Sequence, residues 1–410
     1  DFTGVAEGIT PLGNDGVTPF DGNFDGKGFA VKGYSYKTKE DGEGALFGTI
    51  GAEGVVSNLT SAGEISGGLG GPKGTTKLGH VGGFVGRLYG KLVNVTNTGK
   101  VKGIATYNAG VAGFVQQGAV LDGVKNYGEI TSSAAYVAGV AAYVYEDAEF
   151  NKCVNYGNIS SSVAAGYAAG IAATALPSKF VECVNEGQIS SGSSAGIVAN
   201  CSGKSGGLIY TFDRCQNNGE VTGNGILGGI TAVQGATAGN NVCHYIQCVN
   251  NGDITATATQ AVSSSAMAGI AAFYSPGSVF EYCINTGFVT NTKSVYTAGI
   301  AANNKGSATA DYPVVFKGCV NTGNIASSAQ QIAGIVAYIT NYTSVDSCLN
   351  YGTIEQGIWG AAGICYTMAG TTSSLTNCIN YGDVSVTQYN AGGIVGNCAS
   401  TTAVIENCVN

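Results

Sequence analysis

Short apolar runs alternate with Gly, Asn and Ser along almost the whole chain, and the alternation itself repeats. One phrase recurs from the middle of the chain onward: CVNYGNI at 153–159, CVNEGQI at 183–189, CQNNGEV at 215–221 and CVNNGDI at 248–254. It continues as CINTGFV from Cys283, CVNTGNI from Cys319, CLNYGTI from Cys348, CINYGDV from Cys378 and CVN from Cys408. It also runs backward without cysteine, as LTSAGEI from Leu59, VTNTGKV from Val95 and VKNYGEI from Val124. These twelve anchor positions are 29 to 36 residues apart. An apolar residue such as Phe150, Phe180, Phe212, Phe280, Phe316 or Ile405 stands three before the anchor, and a second phrase of the AGIAA type follows it, as at Ala138, Ala169, Ala268, Ala298 and Ala333.

Three short apolar segments per repeat, separated by turn residues, predict three strands and not helices. Three strands in about 30 residues describe one coil of a parallel β-solenoid, so the expected fold is all-β with about twelve coils. Right-handed coils follow from the strong preference of parallel crossovers, and the strand spacing gives a rod of roughly 55 Å. Residues 1–57 are expected to form an N-terminal entry or capping segment and 58–410 the repeat solenoid. The last coil stops inside a repeat, which would expose unpaired strand edges; it predicts capping, continuation by further sequence, or self-association through solenoid ends.

Identical positions of successive coils stack on one another, so each column in the repeat should have one structural job. The Gly four after the anchor, from Gly63 to Gly382, is expected at a corner that needs φ > 0. The Asn two after it, at Asn97, Asn126, Asn155, Asn185, Asn217, Asn250, Asn285, Asn321, Asn350, Asn380 and Asn410, predicts a stacked amide ladder, with Ser61 the one exception. The Ile or Val six after the anchor should fill the interior.

The pairing of VGGFVG at 81–86 and GGIVG at 392–396 with NCIN at Asn377 and NCVN at Asn407 resembles the bacterial GLUG-motif surface proteins. The opening PFDGNFDGKGFAVKG, followed by GALFGTIG, is similar to the entry segment of such proteins in Bacteroidota. The resemblance covers nearly the whole chain. It implies a secreted or cell-surface, adhesin-like parallel β-helix and carries over no catalytic residues. The middle coils depart from it by having AGIAA in place of GGLVG.

Charge narrows the functional classes. Only 11% of residues are charged and the net charge is -8, so there is no basic footprint for nucleic acid. No run of 18 apolar residues predicts a transmembrane segment, and no cofactor motif stands out. Nine of the 13 cysteines (Cys153, Cys183, Cys215, Cys248, Cys283, Cys319, Cys348, Cys378 and Cys408) occupy the anchor column, where Leu59, Val95 and Val124 stand in the first repeats. They read as reduced, buried small hydrophobes. Cys201, Cys243, Cys365 and Cys398 lie outside the column and leave room for one or more bridges, except that Cys201 and Cys398 are about six coils apart. His80 and His244 are the only histidines, and the single local Cys–His pair, Cys243 and His244, lacks further ligands at zinc spacing.

Candidate chemistry is sparse. Glu220 and Asp253, both five after their anchors, would stack about 5 Å apart, as in a retaining glycosidase pair, although the same column is tolerant of Lys, Asn, Gln and Phe. Asp21, Asn23 and Asp25 match the first half of a calcium loop whose twelfth position is Lys32 instead of Glu. Glu281, Lys317 and Asp346 share a column of alternating sign. Tyr127 with Tyr156, and Tyr351 with Tyr381, should stack on adjacent coils, where exposed rings can meet sugars or a protein partner. The long repeats from 215 to 319, with GATAGNNVCHY and the Ala-Thr-Ser run at 255–265, are expected to carry a binding face. The expectation is a non-enzymatic extracellular surface solenoid, adhesive or structural and filament-forming, contacting host protein or glycan. A carbohydrate-binding or carbohydrate-cleaving β-helix is the alternative.

Overall fold

The computed structural model describes residues 10–13, 18–38, 44–67, 79–103, 106–203, 209–234, 241–257, 265–291, 295–328, 330–356 and 359–410. Among them there is no helix. The chain divides into two compact units, Asp1–Gly192 and Ser193–Asn410, and each is a parallel β-solenoid with about 30 residues per coil.

One coil of the second unit runs Val279–Glu281, Ile284–Asn285, Val289–Asn291, Tyr296–Ala298 and Ala301–Asn304 before Val314–Lys317 begins the next. The three apolar segments of each repeat are therefore present, and two of them are bent into pairs of shorter strands. One bend follows the Asn of the anchor phrase; the other falls inside AGI. Pairing is in strict register, with Phe280 on Phe316, Asn285 on Asn321, Val289 on Ile325 and Ala298 on Ala333.

That register stacks like on like inside each unit. In the first, Val56, Leu92, Leu121, Phe150 and Phe180 form one fully buried column. In the second, Phe212, Tyr245, Phe280 and Phe316 stack ring on ring at 5.1, 4.6 and 4.6 Å. The Ile or Val six after each anchor is buried as expected, from Ile65 to Ile189 and from Val221 to Ile354. Each coil thus adds apolar area to its neighbours at about 25 cal/mol per Å², and cohesion is nearest-neighbour.

The amide ladder forms. In the first unit each Asn Nδ2 donates to the next Asn Oδ1, from Asn97 through Asn126 and Asn155 to Asn185, at 2.9, 2.8 and 2.8 Å. In the second the chain runs from Asn217 to Asn410 with every step 2.7 or 2.8 Å. The same Nδ2 also donates to the carbonyl of the Gly two residues on, as from Asn285 to Gly287 at 3.0 Å.

The invariant turn glycine has a different cause from the one expected. None of Gly99, Gly128, Gly157, Gly287 or Gly382 has a positive φ. A Cβ on Gly128 would instead lie 1.8 Å from the Gly99 oxygen, and one on Gly287 2.1 Å from the Gly252 oxygen. Crowding by the preceding coil selects glycine here. The left-handed residue is the one just before the anchor, which has φ of 50 to 64° in all twelve repeats, from Asn58 through Gly123, Lys152, Tyr282 and Gly318 to Asn407.

The entry segment is built into the first unit. Asn23–Asp25 pairs with Val55–Ser57, and Phe47–Ile50 with Val85–Leu88. A register shift between Lys32 and Ser35, with Gly33 at φ 71°, brings Tyr34 inward. Its hydroxyl lies 2.5 Å from Ser61 Oγ, and both hydroxyls donate to the Gly83 carbonyl. Its ring lies against Gly63, and Ser61 takes the Asn position in this coil. Burial holds the Tyr34 hydroxyl up at about 12.

Candidate functional site

The AGI phrase bends the coil, and the bend folds two sheets toward each other on their outer sides. In the first unit Tyr107, Tyr136 and Tyr167 stand two residues before the AG pair and stack in register, at 5.0 and 5.7 Å between rings. Phe114 and Tyr143 stand on the facing sheet, stacked at 4.9 Å and 6°. Tyr107 meets both edge-on, at 5.6 Å from Phe114 and 5.4 Å from Tyr143, and Tyr145 lies 5.6 Å beyond Tyr143. The floor is small: Ala109 and Ala142 pack under these rings. Alanine there leaves room for two walls of aromatic side chains, which meet edge to face as their quadrupoles favour.

Two basic residues stand at one end. Arg87 precedes Phe114 in its column and places its Cζ 5.9 Å over that ring. Its guanidinium donates to His80 Nδ1 at 3.3 Å, while His80 lies 4.5 Å from Phe114. Burial, and then the Arg87 charge, push the His80 imidazole down to about 4, so it is neutral at physiological pH. Burial, then the neighbouring Tyr136, Tyr143 and Tyr145, push the Tyr107 hydroxyl up to about 12. Tyr136, Tyr143, Tyr145 and Tyr167 are half-buried, with ring surface left to solvent. Just upstream, a trough of about 620 Å³ is lined by Thr131, Ser132, Ser133, Ser160, Ser161 and Ser162, with Lys102 and Glu129 beside it.

The second unit repeats the groove with fewer rings. Ala266, Ala268, Ala272, Ala298, Ala302 and Ala337 form its floor around Phe273, with Tyr296 against it. Lys305 places its Nζ 4.0 Å over Phe273, and Tyr296 meets Tyr338 at 5.8 Å. Farther along, Tyr366 packs on Ala333 and Ala362.

Each tyrosine pair expected from the sequence comes together. Tyr127 and Tyr156 stack at 4.5 Å and 8°, Tyr351 and Tyr381 at 4.8 Å and 11°, all four rings 41 to 60% exposed. A third pair, Trp359 on Tyr389 at 5.2 Å, was missed, although both stand eleven after their anchors. The groove aromatics were missed for another reason: AGIAA reads as strand interior, while part of it faces outward.

The charged candidates stand at or near the surface. Glu220 and Asp253 are exposed and precede the paired residues Val221 and Ile254. Asp253 Oδ1 accepts the Phe288 backbone N–H at 2.8 Å, the task that Asn158 and Asn324 perform in the same column. Asn23 and Asp25 lie in the strand Asn23–Asp25, and Asp21 precedes it. Asp25 Oδ1 accepts from Lys27 N and Asn58 Nδ2, and the bond from Asn58, followed by that from Lys27, lowers its carboxyl. Glu281, Lys317 and Asp346 do share a column. Asp346 is held low by Thr376 first and then Asn377, at 2.7 and 2.8 Å. Among the described residues no three His, Cys, Asp or Glu side chains form a metal-binding group.

The long coils carry a small apolar cleft of about 250 Å³, lined by Ile209, Val242, Val279, Val315, Tyr312 and His244 among others. Residues 235–240 and 258–264 of their expected insertions lie outside the described residues. Apart from the half-buried Cys408 the anchor thiols are buried, and several donate across the coil step, as Cys248 does to the Phe212 carbonyl at 3.2 Å and Cys283 to that of Tyr245 at 3.4 Å. No helix of the described residues is long and apolar enough to cross a membrane. Comparison of the chain with protein-family models, with curated proteins and with solved structures gives no match.

Proposed function

We propose that this chain is a non-enzymatic, secreted or cell-surface solenoid of bacterial origin that binds neutral glycan chains along its outer aromatic groove. One observation carries the reading: in the first unit seven rings (His80, Tyr107, Phe114, Tyr136, Tyr143, Tyr145 and Tyr167) gather on an outer face over an alanine floor, with Arg87 at one end. A sugar ring presents an apolar face of C–H bonds and a rim of hydroxyls. Half-exposed tyrosine faces match the first, and phenolic and seryl hydroxyls match the second. A chain with only 11% charged residues favours an uncharged ligand over an acidic or basic one. The stacked Tyr127–Tyr156 and Tyr351–Tyr381 pairs extend the same chemistry to the anchor turns. The surface location rests on the resemblance to GLUG-motif proteins.

A glycan array probed with the full chain and with a Tyr136→Ala/Tyr143→Ala variant tests this. Binding to neutral glycans that falls at least tenfold in the variant, with an unchanged far-ultraviolet spectrum, is the expected result. Equal binding by the variant, or release of new reducing ends from the bound glycan, would overturn it.

A further inference from the structure

A recess of about 440 Å³ opens on the outer side of the first coils, where the aromatic groove meets the entry segment. Pro19, Asp21, Thr49, Glu53, Arg87 and Tyr89 line it, around Gly51. The recess continues the groove. Thr49, Arg87, Phe114 and Tyr143 follow one another in register. Phe20 pairs with Ile50, which sets Pro19 level with Thr49 at the head of that column. Arg87 belongs to both places: its Cζ lies 5.9 Å over the Phe114 ring, and it lines the recess.

The recess exists because one side chain is missing. The next column reads Gly51, Tyr89, Gln116 and Tyr145 in successive coils, joined by bonds from Tyr89 N to the Ile50 oxygen, Gln116 N to the Leu88 oxygen and Tyr145 N to the Val115 oxygen. Gly51 has no positive φ, so its backbone does not demand glycine. The glycine leaves a gap, and the Asp21 carboxyl reaches over it, since a Cβ on Gly51 would collide with Asp21 Oδ1. Asp21, Glu53 and Tyr89 are exposed, so a ligand's polar groups can replace water on them.

The lining carries two carboxylates and one guanidinium, which suits neither a simple cation nor a simple anion. It suits a ring of hydroxyls: carboxylate oxygens accept O–H groups, a guanidinium N–H donates to a hydroxyl oxygen, and the Tyr89 ring offers an apolar surface to C–H bonds. The volume falls within the ~300–1,000 Å³ of small-molecule pockets. Position sets direction as well. A chain running along Tyr143 and Phe114 and past Arg87 meets Pro19 and Asp21 of the entry segment.

We propose that the recess is a terminal subsite, which takes the last residue of a neutral glycan whose preceding residues lie along Phe114 and Tyr143. Hydroxyls of that end residue donate to Asp21 and Glu53 and accept from Arg87, and its C–H face lies on Tyr89. Chain ends therefore bind more tightly than chain interiors. This inference rests on the glycan reading and adds to it which part of the glycan is held.

The test is isothermal titration of the full chain with mannan, mixed-linkage β-glucan and dextran, and with hexasaccharides cut from each. At equal mass of sugar the two forms differ in their number of chain ends. The expected result, for at least one of the three, is a hexasaccharide that binds about tenfold tighter than its parent polymer per unit mass. Tyr89→Ala should remove that preference and leave polymer binding within about twofold. Gly51→Gln, which supplies the side chain that Gln116 carries two coils on, should fill the recess and do the same. Equal binding of polymer and hexasaccharide would overturn the proposal, as would a preference retained in Tyr89→Ala. Tighter binding of a glucosamine hexasaccharide than of its N-acetylated form would also overturn it, by marking an amine site. If only the terminal subsite is wrong, polymer binding persists and still falls in Tyr136→Ala/Tyr143→Ala; if no probe binds, the glycan reading falls with it.

Discussion

In both units the Asn turn and the aromatic groove are built from the same coils, yet one is uniform and the other changes from coil to coil. At the turn, each Asn amide is held by the next Asn, by a Gly carbonyl in its own coil, and by the absence of a Cβ on two glycines. One is the turn glycine; the other belongs to AGI, where a Cβ on Gly299 would lie 2.4 Å from Asn321. Three constraints meet on one buried side chain, and the one departure, Ser61, is accompanied by the inward Tyr34 hydroxyl. In the groove the walls face outward, and the same column reads Tyr107, Tyr136, Tyr167 in the first unit and Ala266, Tyr296, Gln331, Gly360 in the second. A repeat fold has room for a binding face where packing permits variation and aromatic residues are nonetheless concentrated.

The largest effects are expected at the turn. Gly287→Ala should prevent the coil from closing, because its Cβ meets the backbone oxygen of Gly252 at 2.1 Å and no side chain can move aside. A loss exceeding ~4 kcal/mol, or no cooperative unfolding at all, is the outcome expected in a urea titration. Asn285→Ala should cost about 3 kcal/mol by leaving the Asn250 amide and the Asn321 carbonyl side without their partner. A loss below about 1 kcal/mol would show that the ladder is ornamental.

At the end of the groove the sign of a pH effect sharpens the contrast. His80 titrates near 4 in the fold against 6.5 in the open chain, so its contribution is complete above pH 6.5 and is lost as pH falls toward 4. Stability should decline by up to about 3 kcal/mol across that window, and His80→Phe should flatten the decline. An unchanged acid limb in the variant would show that His80 is not buried against Arg87.

Smaller effects are expected where the column asks only for volume. Cys283→Val should change stability by less than about 1.5 kcal/mol, since Leu and Val fill that column in the first repeats, whereas Cys283→Ser buries a hydroxyl and should cost about 2 kcal/mol. Equal losses for the two variants in thermal unfolding would contradict an apolar role for the thiols. Smallest of all, Tyr127→Ala on the exposed Tyr127–Tyr156 pair should shift stability by about 0.5 kcal/mol, so that any larger change in glycan affinity reports binding and not folding.

Much of this was legible in the residues. The repeat phrase specified a parallel solenoid, its interior Phe and Ile columns, the amide ladder and the paired tyrosines, because stacking makes each sequence position a column and each column asks one question of its residue. Asn58, Asn94, Asn377 and Asn407 were also a readable signal for the left-handed residue before the anchor, masked by Lys, Glu and Tyr in other repeats. What only the tertiary structure decided depends on direction. Whether a glycine answers to φ or to crowding, and whether the alanines of AGIAA face in or out, are set by how the coil bends at Asn and at AGI. A bend of a few residues turns a strand's outer face toward its neighbour's, and nothing in composition or spacing encodes that angle.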